Sequence, residues 1–353
     1  MKGYVIFAVI SIIFYRLAWE NIEFNGCCKH CCKYCCKYCC KDEEGGFELN
    51  RLKYMFWVVV FLCSSGAVSY ATDAAIETVS PSDISEKALL WRISYPGKED
   101  SYLLGTMHSE DKRILALVDE VSAKITQTNC LALELDLNPT NTARVMQAMF
   151  FNDGRKLQQF LTKESYAALI ALLTSKLGLG ELQINAMKPW AVMMLLSVPM
   201  PETGDFLDKV LYLYAIENNI RVVGLETPEE QIAVMDEMSI ADQVALMETS
   251  FDTYDQMPEM FERLVGAYLS QDLQIMEALY DEYTSDSEEA LVEALTKRLL
   301  NKRNDLMATR MTALFQEQAC FTAVGALHLP GEQGLLNLFR SQGYKIEAVA
   351  LKF

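Results

Sequence analysis

A chain of 353 residues, 51% hydrophobic and 22% charged, carries enough apolar surface to bury a substantial core, which excludes a disordered protein. Its formal net charge is −17; residues 1–71 hold eight Lys/Arg and six Asp/Glu, so the remainder carries 23 basic against 42 acidic side chains, a balance of −19. A body this acidic speaks against nucleic acid as a partner and offers no attraction to anionic lipid heads, since both need a cationic surface.

Residues 1–71 read as a leader and not as folded domain. Tyr4 to Tyr15 is an apolar run ended by Arg16, too short for a membrane span of roughly 20 residues. The pattern Cys-Cys-Lys-x then repeats from Cys27 to Lys41, and holds eight of the eleven cysteines. Thiolates at that density would bind soft metals, but such strict repetition also fits unstructured sequence translated upstream of the true start. A second apolar run, Tyr54 to Cys63, follows Arg51 and Lys53 and precedes small residues ending at Ala71. A basic flank, a short apolar segment and a small-residue end make a secretory signal cleaved near Ala71, or a signal anchor that stays. Either form places the body, residues 72–353, outside the cytoplasm, periplasmic or secreted. No stable membrane span is expected in the body.

Trp91 to Tyr95 alternates in polarity, Pro96-Gly97 marks a turn, and Ser101 to Gly105 reads as the second arm of a hairpin. Ile114 to Ile125 has helical spacing, Cys130 to Leu135 is strand, and Leu157 to Leu177 is helical up to Gly178. Helices follow over Met187 to Leu196 and Phe206 to Glu217, then a strand over Ile220 to Leu225. The next helix starts with a cap at Thr227, Pro228 in the first turn and Glu230 closing a capping box. Ser239 with Asp242, and Asp286 with Glu289, mark further helix starts, and almost everything from 240 to 315 is helical. Phe321 to Gly325 is strand, Glu332 to Gln342 a helix stopped by Gly343, and Tyr344 to Leu351 the last strand. The reading is an α/β fold: a mixed β-sheet core with flanking helices and a helical insertion, in one integrated domain. Methionines such as Met193, Met194, Met235 and Met247 read as flexible core filler. Cys130 and Cys320 head two strands and are expected to be buried; a disulfide between them is open.

Only two histidines lie in the body, and their settings match. Leu103-Leu104-Gly105-Thr106-Met107-His108 and Ala323-Val324-Gly325-Ala326-Leu327-His328 each run apolar strand, glycine, two residues, histidine. The glycine is expected to let the chain turn where the strand ends, and the histidine to enter the crevice at the carboxyl ends of the strands. Glu134 and Asp136 sit two apart on one strand face, and Glu226 ends the next strand. A buried carboxylate needs a partner, a proton or a metal. Imidazoles with such carboxylates form an N/O donor set for manganese, cobalt, zinc or iron, able to activate water for hydrolysis. Against this, Glu226 could simply cap its helix and Asp136 face solvent. The body holds no His-Glu-x-x-His, Cys-x-x-Cys, Walker loop, Gly-x-Gly-x-x-Gly or Gly-x-Ser-x-Gly.

In order along the chain, Gly105-Thr106-Met107-His108, Leu133-Glu134-Leu135-Asp136, Pro189-Trp190, Gly224-Leu225-Glu226-Thr227, Arg303-Asn304 and Gly325-Ala326-Leu327-His328 resemble the TraB/GumN family. That family includes TraB and PrgY pheromone-shutdown proteins, bacterial GumN-like proteins and animal TIKI proteases. The resemblance runs from about Trp91 to Val349. It implies an α/β fold related to erythromycin-esterase-like and haem-associated ChaN-like proteins, and a divalent-metal-dependent protease with manganese or cobalt favoured. Carried across, His108, His328, Glu134 and Arg303 would be catalytic, and His108, His328, Glu134 and Glu226 would hold the metal. Arg303 could pair with a site carboxylate or stabilise an oxyanion, or be an ordinary helix arginine. The expected function is a metal-dependent hydrolase, a peptidase acting on a peptide or protein outside the cytoplasm. The alternative is a non-enzymatic protein that sequesters a peptide or haem, or regulates, through the same crevice.

Overall fold

The computed structural model describes residues 87–199, 202–284 and 289–352. The leader, its Cys-rich repeat, the signal-like segment and Asp286 lie outside the described residues. Six strands form one mixed sheet: β1 (Leu90–Ser94), β2 (Ser101–Thr106), β3 (Cys130–Leu135), β4 (Arg221–Glu226), β5 (Phe321–Gly325) and β6 (Lys345–Val349). Their order is β4-β3-β5-β2-β1-β6. The hairpin β1–β2 is antiparallel, as its turn predicts, and β6 pairs antiparallel with the other edge of β1. β2, β5, β3 and β4 are mutually parallel, with Thr106 opposite Gly325 and Leu135 opposite Glu226. Their carboxyl ends therefore share one edge of the sheet, and β2, β3 and β5 are buried along their whole length, as parallel strands between helical layers must be.

Around the sheet pack α1 (Leu117–Thr126), α2 (Pro139–Ala148), α3 (Lys163–Leu177), α4 (Pro189–Leu196), α5 (Leu207–Glu217), α6 (Pro228–Asp236), α7 (Ile240–Asp252), α8 (Met257–Leu269), α9 (Leu273–Thr284), α10 (Lys302–Glu317) and α11 (Leu335–Ser341). The stretch between β4 and β5 is helical throughout its described length, which is the insertion expected. Caps act where the residues foretold them. Thr227 accepts from the Glu230 amide while Glu230 reaches back to the Thr227 amide. Ser239 accepts from the Asp242 amide, and Gly178 and Gly343 close α3 and α11 in left-handed conformation at φ 66° and 85°.

Several elements differ from the periodicity. The Ile114–Ile125 helix is broken at Ala116 into a short turn of helix and α1. The Leu157–Leu177 helix is interrupted because Thr162 caps a fresh start at Lys163. Two helices escape a pattern reading: α2, a largely polar segment started by the Asn138 side chain and Pro139, and the short Glu181–Ala186. The helix from Glu332 begins later, at Leu335. Ahead of α10 lies a π-helical stretch, Lys297–Asn301, a local rewinding found often beside functional residues. Cys130 and Cys320 are fully buried and joined by a disulfide that clamps the heads of β3 and β5, Cα atoms 4.8 Å apart. The four methionines named above are buried, as filler should be. Among the described residues no helix is long and apolar enough to cross a membrane.

Candidate active site

The shared carboxyl edge of the sheet gathers His108, Glu134, Glu226 and His328; His108 lines the cavity that opens there, whereas Glu134, Glu226 and His328 are buried behind it. Thr106 ends β2 and His108 follows two residues on; Gly325 ends β5 and His328 closes a short 3-10 turn, Ala326–His328. The two glycines serve differently from the turn role expected of them. Neither has a positive φ. A Cβ on Gly105 would stand 2.9 Å from the Ala326 Cα and 3.1 Å from its Cβ, so its bare Cα lets the two histidine-bearing segments pack directly together. The Gly105 carbonyl accepts from the Tyr268 hydroxyl of α8 at 2.7 Å, a contact that no local pattern signals.

At the centre lies Arg303 of α10, which is buried together with both glutamates. Its Nε donates to Glu226 Oε1 at 2.7 Å and its Nη2 to Glu226 Oε2 and Glu134 Oε2 at 2.5 and 2.6 Å. Nη1 donates to the Leu299 carbonyl at 3.2 Å. Gln231 Nε2 adds a bond to Glu226 Oε2 at 3.1 Å. Burial opposes the charge of Arg303, but Glu226 and Glu134 more than offset this and hold its pKa above the ordinary value. Burial pushes the Glu134 carboxyl up against the pull of Arg303. Its other oxygen, Oε1, accepts from the Gly325 amide at 2.8 Å and lies 3.5 Å from His328 Nε2.

His328 is fully buried, and its Nδ1 lies 2.5 Å from Asn304 Oδ1. Burial, reinforced by Arg303, depresses its pKa well below the ordinary value, so the ring is neutral at pH 7. His108 sits in a different polar setting. Its Nε2 is 2.8 Å from Asp208 Oδ2, at the start of α5, while Asp208 Oδ1 accepts from Thr106 Oγ1 at 2.9 Å. The His108 ring meets Phe206 edge-on at 5.2 Å. Asp136 stays apart from Glu134: β3 stops at Leu135, and Asp136 instead receives the backbone and side-chain N–H groups of Asn138. Asp208 is the functional candidate missed from sequence, one of 48 acidic side chains with nothing local to mark it.

The donor set has the chemistry of a divalent-metal site, two imidazoles each beside a carboxylate. Among the described residues no three His, Cys, Asp or Glu side chains are gathered tightly enough to enclose an ion. However, His108 Nε2 and Asp208 Oδ2 face each other without the direction of a hydrogen bond, both buried. Such an arrangement calls for an ion or a proton to reconcile them. Glu226 is engaged by Arg303 and Gln231, so the fit rests on His108, Asp208, His328 and Glu134 Oε1. Outside His108 opens a cavity of about 450 Å³ whose walls include Phe261 and Val265 and the carboxylates of Glu110, Glu202 and Glu262.

Compared with known proteins, residues 89–348 match the model of the TraB/PrgY/gumN family. Two curated relatives from Danio rerio are similar. Metalloprotease TIKI2 is 24% identical over 352 residues, covering 82% of this chain and 67% of the relative. Metalloprotease TIKI1 is 25% identical over 313 residues, covering 74% of this chain and 63% of the relative. The chain thus spans about two thirds of the length of these relatives. No solved structure matches it.

Proposed function

This chain belongs to the TraB/PrgY/gumN family, and we propose that it is a metal-dependent hydrolase, a peptidase acting outside the cytoplasm. The observation that carries the reading is the pairing of two buried histidines with carboxylates, His108 with Asp208 and His328 with Glu134, beyond the carboxyl ends of adjacent parallel strands. The similarity to two metalloproteases supports it. The disulfide supports an oxidising compartment, because cytosolic thiols are kept reduced.

His108 and His328 would hold the ion, with Asp208 and Glu134 Oε1 as the oxygen donors nearest them and Glu226 as outer support through Arg303. Manganese or cobalt is the preferred ion. A divalent ion supplies Lewis acidity and lowers the pKa of a bound water. The chain's own residues do the rest. Glu134, held by Arg303 at Oε2 and by the Gly325 amide at Oε1, would keep Oε1 turned toward His328 and the ion. Arg303 spends its bonds on the two glutamates and the Leu299 carbonyl, so its part is to hold the carboxylates in place and not to meet an oxyanion. The cavity at His108 is open to a peptide chain, and its acidic wall favours basic residues in that peptide.

The test is metal content and peptide hydrolysis of the full chain, purified without chelator, beside the double variant His108→Ala/His328→Ala. The expected result is one more divalent ion per chain in the native protein, and turnover lost in the folded variant. Equal metal content and no turnover in either, after manganese, cobalt, zinc and iron are offered, would refute the reading.

A further inference from the structure

We propose that Asn304 is a positioning residue that fixes the tautomer of His328, placing the ring proton on Nδ1 and turning the Nε2 lone pair toward Glu134. The assignment follows from a chain of hydrogen-bonding identities. The Gln333 carbonyl can only accept, and Asn304 Nδ2 donates to it at 2.8 Å. The amide of Asn304 is therefore oriented with its oxygen toward the imidazole, 2.5 Å from Nδ1. An amide oxygen also only accepts, so Nδ1 carries the proton. A neutral imidazole has one N–H, and here it is spent on Asn304. Nε2 is left as a base, facing Glu134 Oε1 across 3.5 Å. Flipping the amide would set its oxygen against the Gln333 carbonyl, two acceptors at hydrogen-bonding distance.

The surrounding fold holds each member of this relay. Gln333 lies on the turn 330–334, where Gly331 takes φ 84° and the Gly334 amide donates to the Gly331 carbonyl at 3.1 Å. Gly334 leaves no room for a side chain against the backbone of Leu329 and Pro330. Asn304 and Arg303 are neighbours on α10, just after the π-helical stretch, and both are almost completely buried. One helix start thus orients the carboxylates through Arg303 and the imidazole through Asn304. A histidine ligand with its second nitrogen pinned by an acceptor is the usual way a protein selects which nitrogen binds or reacts.

The catalytic meaning of the proposal rests on the hydrolase reading; the tautomer does not. The experiment is a long-range 1H–15N correlation spectrum of full-length, metal-free protein labelled with 15N-histidine, at pH 7.5. The chain has three histidines, His30, His108 and His328, and the variant His328→Gln assigns the relevant signals. The expected pattern for His328 is a protonated Nδ1 and a bare Nε2. Asn304→Asp, which keeps the acceptor toward Nδ1 though it loses the bond to Gln333, should preserve the Nδ1 proton, and Asn304→Leu should shift the proton to Nε2 or mix the tautomers. In the peptidase assay Asn304→Leu should lose at least tenfold in kcat with little change in KM, and Asn304→Asp should recover most of it. A protonated Nε2 in the native protein would overturn the proposal even where Asn304→Leu fails to fold, as would an unaltered pattern in a folded Asn304→Leu. The native pattern as expected, with no hydrolysis in any form, would retain the tautomer and remove the hydrolase reading.

Discussion

Replacing Arg303 with leucine leaves Glu134 and Glu226 facing each other in a buried crevice without their shared cation. Each ion pair is worth about 4 kcal/mol at 4 Å between charge centres and an effective dielectric constant near 20. Against that stands the desolvation of the arginine itself, which the variant no longer bears. Removing one partner of a buried pair costs a net ~3–5 kcal/mol, and this variant should lie in that range at pH 7.5. With a urea dependence of about 2–3 kcal/mol per molar, the midpoint should fall by about 1–2.5 M. The loss should depend on pH in a definite direction. Burial already raises the Glu134 carboxyl above its ordinary value in the presence of Arg303, and without the guanidinium it rises further. A carboxyl raised on folding favours the folded state at pH values below its unfolded pKa and loses that advantage as pH climbs. The gap between native protein and variant should therefore be small near pH 4.5 and full at pH 7.5. The triple variant Arg303→Leu/Glu134→Gln/Glu226→Gln should regain most of the loss, since no charge is stranded. Urea unfolding at the two pH values decides the matter. A loss under about 1 kcal/mol at pH 7.5, or one unchanged at pH 4.5, would refute a buried ion triad as the centre of this site.

Gly105→Ala should destabilise by about 1–3 kcal/mol, because its Cβ meets the Ala326 backbone and not a movable side-chain tip; a melting temperature equal to that of the native protein would contradict the packing. The Cys130–Cys320 bridge spans 190 residues of sequence, so reduction, or Cys130→Ala/Cys320→Ala, should cost about 3–5 kcal/mol. An unfolding midpoint insensitive to reductant would show that the thiols are not bridged. Glu230 is held down at about 2 by its hydrogen bond to Arg310 despite some burial. Its contribution is present above the unfolded glutamate value near 4.3 and is lost as pH falls toward 2. The pair is about one-third exposed and solvent screens it, so Glu230→Gln should cost under ~1 kcal/mol at pH 7. Thermal melts of that variant and the native protein should converge only as pH falls to about 2 and below; a constant offset would mean the charge plays no part.

What could be read directly from the residues was local. The Thr227–Glu230 capping box and the Gly178 and Gly343 stops act within one helical turn, and the chain supplies both partners. Strand alternation and buried apolar runs placed all six strands within a residue at their starts, though the last, Lys345–Val349, ends before its apolar run does. His108 and His328 stood out because histidine is scarce and both follow a strand and a glycine. Other features depended on distant residues. Whether Glu134 or Asp136 enters the crevice turned on the chain bending after Leu135, which a period-two pattern cannot register. Asp208 meets His108 from 100 positions away in the chain, and Asn304 gains its role only because Gln333 and His328 arrive on opposite sides of its amide. The glycine of the first motif belongs to both classes. Its position was evident from the residues, yet its purpose was set by Ala326 on a neighbouring strand end. Short-range hydrogen bonding and periodicity are properties of consecutive residues, and so the sequence alone determined most of the elements. The strand order β4-β3-β5-β2-β1-β6 and the pairing of buried charges arise from packing segments far apart in the chain, and so only the tertiary structure decided which side chains share the site.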